Sequence, residues 1–183
     1  MEEKRKVNFS VTGELVMNSD VNAGMKRSTK YVVECLGIDG ELKWVEEFGN
    51  LVVNVGLNDS LDKHFKGSGY TAAWYVGLAS GTPSFAAGDT MASHAGWFEI
   101  YPYAGLRPAL TLGSVSSQSV DNSASKASYA ITATMVIGGA FVNTGETGTA
   151  GTLYGGGAFS GGNRSVLSGD TLNVTCTLTA AAA

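Results

Sequence analysis

The chain has 183 residues, of which 44% are hydrophobic and only 15% are charged, and its formal net charge is −4. This length fits one domain with short appendages, and an acidic chain without a basic stripe excludes the usual nucleic-acid-binding classes. The sequence contains neither an apolar stretch long enough to span a bilayer nor the apolar core of a secretion signal. We therefore expect no membrane and no nucleic acid among its partners, and synthesis in the cytoplasm.

The charged residues are unevenly distributed along the chain. Residues 1–66 hold nine of the 12 basic and 11 of the 16 acidic residues, so only eight charged residues remain among the other 117. Burial of an uncharged surface against other protein chains would explain this shortage. The alternative is that Ser, Thr, Asn and Gly supply the surface polarity, as they do in many fibre-like modules.

The first predicted element is a short hairpin over residues 7–17. Its apolar side chains alternate on either side of Thr12 and Gly13, which predicts two strands and a turn. The alternating residues are Val7, Phe9, Val11, Leu15 and Met17. Residues 18–30 have no usable periodicity, which indicates a linker.

We therefore divide the chain into an N-terminal hairpin and linker arm, residues 1–30, and a main domain, residues 31–183. A short basic run precedes the hairpin, and we include it among the candidate interface residues. This run consists of Lys4, Arg5 and Lys6. Because Glu2 and Glu3 balance its charge, a solvated terminus is the competing interpretation.

The main domain begins with a second predicted hairpin and the sequence's best helix candidate. Asp39 and Gly40 separate two alternating runs, a pattern typical of a tight antiparallel turn. Residues 57–65 then predict a helix that packs on a sheet, begins at a cap on Asn58 or Asp59, and ends at Gly67. Its predicted apolar face consists of Leu57, Leu61 and Phe65.

Beyond the helix the sequence predicts short strands joined by glycine-rich turns. Nineteen of the 25 glycines follow Lys66, and strand-like runs recur about every ten residues. The predicted fold class is therefore all-β, a jelly roll or β-sandwich with one short helix. In the last strand, Leu172, Val174, Cys176 and Leu178 alternate with polar residues and form a core face. We expect Cys35 and Cys176 to be buried thiols rather than a disulfide pair.

The sequence offers no convincing catalytic or metal-binding constellation. Asp62 and His64 point to different faces of the predicted helix, so they cannot share a metal ion from that helix alone. Asp89 and His94 lie in a serine-rich loop that lacks the spacing of a nucleophile elbow. The glycine-rich run before Arg164 lacks the Lys-Ser/Thr end of a phosphate-binding loop. We therefore predict no enzyme activity, no cofactor and no metal.

The richest aromatic cluster is the candidate interface of the main domain. Its residue types are those that dominate binding hot spots, and Pro102 within it predicts the edge or corner of a sheet. Core packing is the competing explanation for part of the cluster. The candidate residues are Trp97, Phe98, Tyr101, Tyr103 and Arg107.

Several runs of the main domain carry a resemblance to a known family. They are WVEEFGNLVVNVGLNDSLDKHF, WYVGL, AAGDTMASHAGW, VDNSASKASYAI, GTLY and SGDTLNVT. Over roughly residues 43–179 the chain resembles small virion structural proteins of tailed phages and prophages, of the capsid cement or decoration type. The resemblance implies a jelly-roll domain on the outside of a capsid, and it implies no catalytic residues.

The resemblance and the composition together predict a structural protein of the virion, located on the capsid surface after synthesis in the bacterial host cytoplasm. The expected partners are the major capsid protein and a second copy of this chain in a homo-oligomer. The alternative is a tail- or fibre-associated structural or carbohydrate-binding module, in which Trp74, Trp97 or nearby tyrosines would stack on sugars.

Overall fold

The structure is a computed structural model that describes residues 25–70 and 73–182, and eleven strands and one α-helix lie within them. The strands are β1 (Met25–Leu36), β2 (Leu42–Gly49), β3 (Leu51–Val52), β4 (Tyr75–Ser80), β5 (Glu99–Ile100), β6 (Ser119–Asp121), β7 (Ala127–Ala130), β8 (Met135–Asn143), β9 (Leu153–Ala158), β10 (Arg164–Val166) and β11 (Thr171–Ala182). The helix α1 spans Asn54–Phe65, and a short 3-10 turn spans Ser123–Ser125.

The strands form two antiparallel sheets. The first has the order β2-β1-β11-β6, with β7 also paired to β11. The second has the order β3-β9-β8-β4-β5, with β10 also paired to β8. Apolar residues from both sheets meet in one core, so the predicted β-sandwich with one short helix is confirmed.

The first and last strands pair at the centre of the first sheet. Their register runs without interruption from Met25 opposite Ala182 to Leu36 opposite Thr171. Residues 25–30 therefore belong to β1, and their prediction as part of a linker was wrong. The polar composition of residues 25–30 suggested a linker. These residues form a strand because their backbone groups pair with β11. The predicted hairpin over residues 7–17 lies outside the described residues.

The hairpin formed by β1 and β2 confirms the predicted turn. Gly40 has a φ of 81°, the left-handed conformation that this turn requires and that glycine adopts without strain. On β1, Tyr31, Val33 and Cys35 are fully buried, because alternate side chains of the strand face the second sheet.

The last strand also confirms its predicted core face. Leu172, Val174 and Cys176 are fully buried, opposite the second sheet. Both Cys35 and Cys176 are buried free thiols, as the sequence predicted. Burial, with the nearby Asp170 carboxylate, raises the pKa of the Cys35 thiol to about 12, so this thiol remains protonated at neutral pH.

The helix differs from its prediction in two respects. It begins at Asn54 with an N-cap at Val53 that makes no side-chain capping bond, so Asn58 and Asp59 lie inside the helix rather than at its start. Its end is as predicted, because Gly67 follows it with a φ of 68°. None of the helices in residues 25–70 and 73–182 has the length and apolarity needed to cross a membrane.

The second difference concerns the side of the helix that packs. A Cβ on Gly56 would lie 2.5 Å from the carbonyl oxygen of Tyr154, so glycine allows the backbones of α1 and β9 to approach closely. The residues predicted to pack on the sheet are instead exposed: Leu57 by 39%, Leu61 by 53% and Phe65 by 70%.

Candidate interaction surfaces

Trp97, predicted as an interface residue, lies in the core. Its side chain is 1% exposed and packs between the rings of Phe85 and Phe141 and against the stacked ring of His94. Trp97 Nε1 donates a 3.0 Å hydrogen bond to Asp89 Oδ2. The whole loop before Trp97 therefore folds around its indole ring and forms a second small core.

This loop contains the two residues that superficially suggested catalysis. Asp89 is buried and also accepts a hydrogen bond from the backbone N–H of Ala86. His94 stacks on Trp97 with ring centroids 3.7 Å apart, and its Nδ1 donates to the Trp97 carbonyl oxygen. Both side chains are therefore used in holding the loop, which supports a structural role.

Arg107 is the second interface candidate that turns inward. It donates two hydrogen bonds to the Glu99 carboxylate, at 2.6 and 2.5 Å, and two more to the carbonyl oxygens of Gly145 and Gly148, both at 2.6 Å. Its guanidinium carbon also lies 5.4 Å from the centre of the Phe141 ring. Arg107 thereby joins β5 to the loop between β8 and β9.

Hydrogen bonding to Glu99 favours the charged form of the Arg107 guanidinium. Burial alone would lower the pKa of Arg107, but the hydrogen bonds to Glu99 outweigh burial and raise that pKa. Burial, with the hydrogen bond that its hydroxyl donates to Glu99, raises the pKa of Tyr101. Glu99 therefore has two donors, and the ion pair is held in one geometry.

Tyr103 is the third buried candidate. It is 6% exposed, packs against Tyr129, and has a pKa raised far above the usual range by burial. The prediction that Trp97, Tyr103 and Arg107 contact a partner does not fit these positions, because buried side chains cannot reach another molecule. These three side chains are instead buried by packing and hydrogen bonding inside the domain.

Two of the remaining candidates, Phe98 and Tyr101, are exposed, and together with Leu106, which was not among the candidates, we call them the edge patch. These side chains are 70%, 42% and 54% exposed. They flank β5, which lies at one end of the second sheet and pairs with β4. Pro102 lies in a bend outside β5, so the strand ends shortly before the proline.

A second exposed apolar surface, which we call the helix face, was predicted to be core. It consists of Leu57, Leu61 and Phe65 on α1, together with Met25 at the start of β1, which is 55% exposed. A cavity of ≈ 200 Å³ lies between Met25, Leu57 and Leu61. The helix turns several of its polar residues inward instead, since Asp59, Ser60 and Lys63 line a groove beside the sheets.

This groove was not predicted from the sequence. It has a volume of ≈ 390 Å³, and aromatic residues from distant parts of the chain form its walls. Trp74 Nε1 donates a 2.7 Å hydrogen bond to the hydroxyl of Tyr70, and the Trp74 ring packs edge-on against Tyr154. Arg27 of β1 lies at one side. Only the tertiary fold brings these residues together, so no local pattern indicates the groove.

The basic residues of the charge-poor region are all used in internal ion pairs. Arg107 pairs with Glu99, as described, and the other two pair with residues of the hairpin formed by β1 and β2. These pairs are Lys126 with Glu34 and Arg164 with Glu46. The basic residues after residue 66 are therefore paired within the fold rather than grouped in a basic binding surface.

Two further groups considered in the sequence are the acidic residues and histidine of the helix and the basic run near the N-terminus. Across residues 25–70 and 73–182, no group of three His, Cys, Asp or Glu side chains is placed to hold a metal ion. Asp62 forms ion pairs with Lys63 on the same helix and with Lys66 directly after the helix. The basic run of Lys4, Arg5 and Lys6 lies outside the described residues, so its role as an interface remains a prediction.

Comparison of the chain with protein-family models, with curated proteins and with solved structures finds no match.

Proposed function

We propose that this chain is a structural protein of a tailed-phage virion, which binds the outside of the capsid and ties neighbouring major capsid protein subunits together. The observation that carries the proposal is the edge patch, because Phe98 and Tyr101 are exposed aromatic side chains at the edge of a sheet. Aromatic side chains contribute most to binding when the scaffold beneath them is rigid. Here the scaffold is the buried pair of Arg107 and Glu99.

The charge distribution supports a partner surface of apolar character. Because the basic residues after Lys66 are paired internally, an apolar contact loses little charge solvation when it forms. A capsid repeats the same contact many times, so modest affinity at each contact gives large avidity. The sequence resemblance of residues 43–179 supports the same conclusion.

The copy number in purified virions tests the proposal directly. A capsid-binding protein occurs on the order of hundreds of copies per particle, because it follows the symmetry of the shell. We expect quantitative mass spectrometry to give a value of that order, and heads that lack the protein to rupture at lower temperature. A value of about six or twelve copies, as in a tail ring, would contradict the capsid assignment.

A pair of matched variants tests the edge patch. Phe98→Ser removes an exposed ring, and we expect incorporation into virions to fall about tenfold or more, the size of a single hot-spot loss. Ile38→Ser is the control, since Ile38 is 87% exposed in the turn between β1 and β2. Equal incorporation of both variants and the unchanged protein would show that the edge patch does not bind the capsid.

The groove favours one alternative function, a tail- or fibre-associated carbohydrate-binding module. Tyr70 and Trp74 present aromatic surface beside the polar residues of α1, a combination typical of sugar-binding sites. Of the two tryptophans proposed for this role, Trp97 is buried, so Trp74 is the candidate. A glycan array with full-length protein tests it: binding that Tyr70→Ala abolishes would support this function, and an array without hits would exclude it.

A further inference from the structure

The helix face is an apolar surface that the described residues leave uncovered. On α1, Leu57, Leu61 and Phe65 recur every four residues and therefore lie on one side of the helix. A surface helix normally turns such a stripe to the core and its charged residues to solvent. In this protein Asp59 and Lys63 line the inner groove instead, so the helix is oriented for a partner on its outer side.

The chain itself supplies an apolar segment at this position. Residues 1–24 precede β1, and β1 begins with Met25, which lines the same cavity as Leu57 and Leu61. Residues 7–17 carry five apolar side chains in an alternating pattern, and burial of these side chains also requires a partner. Two apolar segments therefore occur close together along one chain.

We infer that residues 7–17 bind the helix face of the same chain and cover it. Residues 18–24 connect the two, and seven residues span at most about 25 Å. The 12-residue helix is about 18 Å long, so the segment can reach all of it. This short connection gives an effective concentration in the millimolar range, well above that of a second copy in dilute solution. The contact is separate from the edge patch, so it leaves the proposed capsid-binding surface open.

A thiol-protection experiment on the full-length chain tests the contact. Leu61→Cys places a thiol on the helix face, and we expect its alkylation by iodoacetamide to be at least about tenfold slower than that of Phe98→Cys on the edge patch. Adding Phe9→Asp to Leu61→Cys disfavours burial of the segment and should restore the faster rate. Cys35 and Cys176 are fully buried and contribute little background. A rate that Phe9→Asp leaves unchanged would overturn the inference.

A crosslinking experiment identifies which copy of the chain supplies the segment. At low micromolar concentration, Phe9→Cys combined with Leu61→Cys should oxidise to a disulfide within one chain, seen as a monomer on a non-reducing gel. Phe9→Cys combined with Phe98→Cys is the matched control and should not crosslink. Disulfide-linked dimers of the first variant, or equal crosslinking of the two variants, would overturn binding within the same chain.

Discussion

The segment around β5 and the helix α1 are both rich in apolar residues, but they orient them in opposite ways. Between Trp97 and Arg107, the side chains of Trp97, Tyr103 and Arg107 turn inward, whereas the large apolar side chains of Phe98, Tyr101 and Leu106 remain exposed. On α1, the three large apolar side chains turn outward, and the helix approaches β9 through Gly56. Large apolar side chains of similar type are therefore partly buried in the segment around β5 but exposed on α1.

The difference shows that specific polar and steric partners set the direction of an apolar side chain. Trp97 is buried because it packs between the rings of Phe85 and Phe141 and because the Asp89 carboxylate accepts a hydrogen bond from its indole N–H. Arg107 finds four oxygen acceptors inside the domain. On α1, the close backbone contact at Gly56 leaves no room for a leucine on the inner side.

The largest expected effect is that of removing the Trp97 ring. Trp97→Ala leaves a cavity between Phe85 and Phe141 and removes one of the two hydrogen bonds that Asp89 Oδ2 accepts, and it should lower the free energy of unfolding by about 3–5 kcal/mol. Urea denaturation measures this value. The matched control, Phe98→Ala, should change it by less than about 0.5 kcal/mol. Similar losses for the two variants would mean that the segment is not divided between core and surface.

Breaking the ion pair beneath β5 should have the next largest effect. Arg107→Ala leaves the Glu99 carboxylate and two carbonyl oxygens without their donor, which should cost about 3 kcal/mol of unfolding free energy at pH 7. Combining Arg107→Met with Glu99→Leu removes both charges and should recover a large part of that loss. If the double variant is as unstable as Arg107→Ala alone, then packing rather than charge accounts for the role of Arg107.

On the helix side of the comparison, Gly56→Ala tests the close approach of α1 to β9. Alanine favours a helix over glycine by about 1 kcal/mol, but its Cβ would overlap the backbone of Tyr154. We expect a net loss of about 2 kcal/mol in thermal or urea unfolding. Asn58→Ala is the control at an exposed helix position and should be neutral or slightly stabilising. A stabilising Gly56→Ala would show that the helix can move away from the sheet.

The smallest effect is expected at the helix face itself. If residues 7–17 cover it, Leu61→Ser should cost about 1 kcal/mol of unfolding free energy, since it removes part of a buried leucine surface. Phe98→Ser, at the uncovered edge patch, should cost less than about 0.5 kcal/mol. Urea denaturation of both full-length variants gives the comparison. Equal small values would indicate that the helix face is bare in the isolated protein.

The sequence predicts the local elements of this fold well and their orientation poorly. Alternation identifies the core face of β11, and Asp39 with Gly40 locates the turn between β1 and β2, because both signals act over a few residues. The polar first half of β1 was assigned to a linker, since its strand conformation depends on pairing with β11 at the other end of the chain. Local sequence carries no signal for such a distant partner.

The candidate surfaces show the same limit. Composition and Pro102 correctly place an aromatic segment at a sheet edge, yet the inward turn of Arg107 depends on Gly145 and Gly148, far along the chain. A period of four identifies an apolar stripe on α1 but does not say whether the sheet or another segment covers it. The groove with Tyr70, Trp74 and Tyr154 exists only in the folded domain.

The pairing of β1 with β11 also determines when the protein can fold. The middle of the first sheet consists of β1 and β11, the two ends of the described chain. The hydrogen bonds between these strands therefore cannot form until β11 has left the ribosome. Contacts between residues so far apart in the sequence make folding slow. A long loop must close, and lose conformational entropy, before the first hydrogen bond between the two strands offsets that loss. We therefore expect a nascent chain that stops before β11 to remain dependent on chaperones.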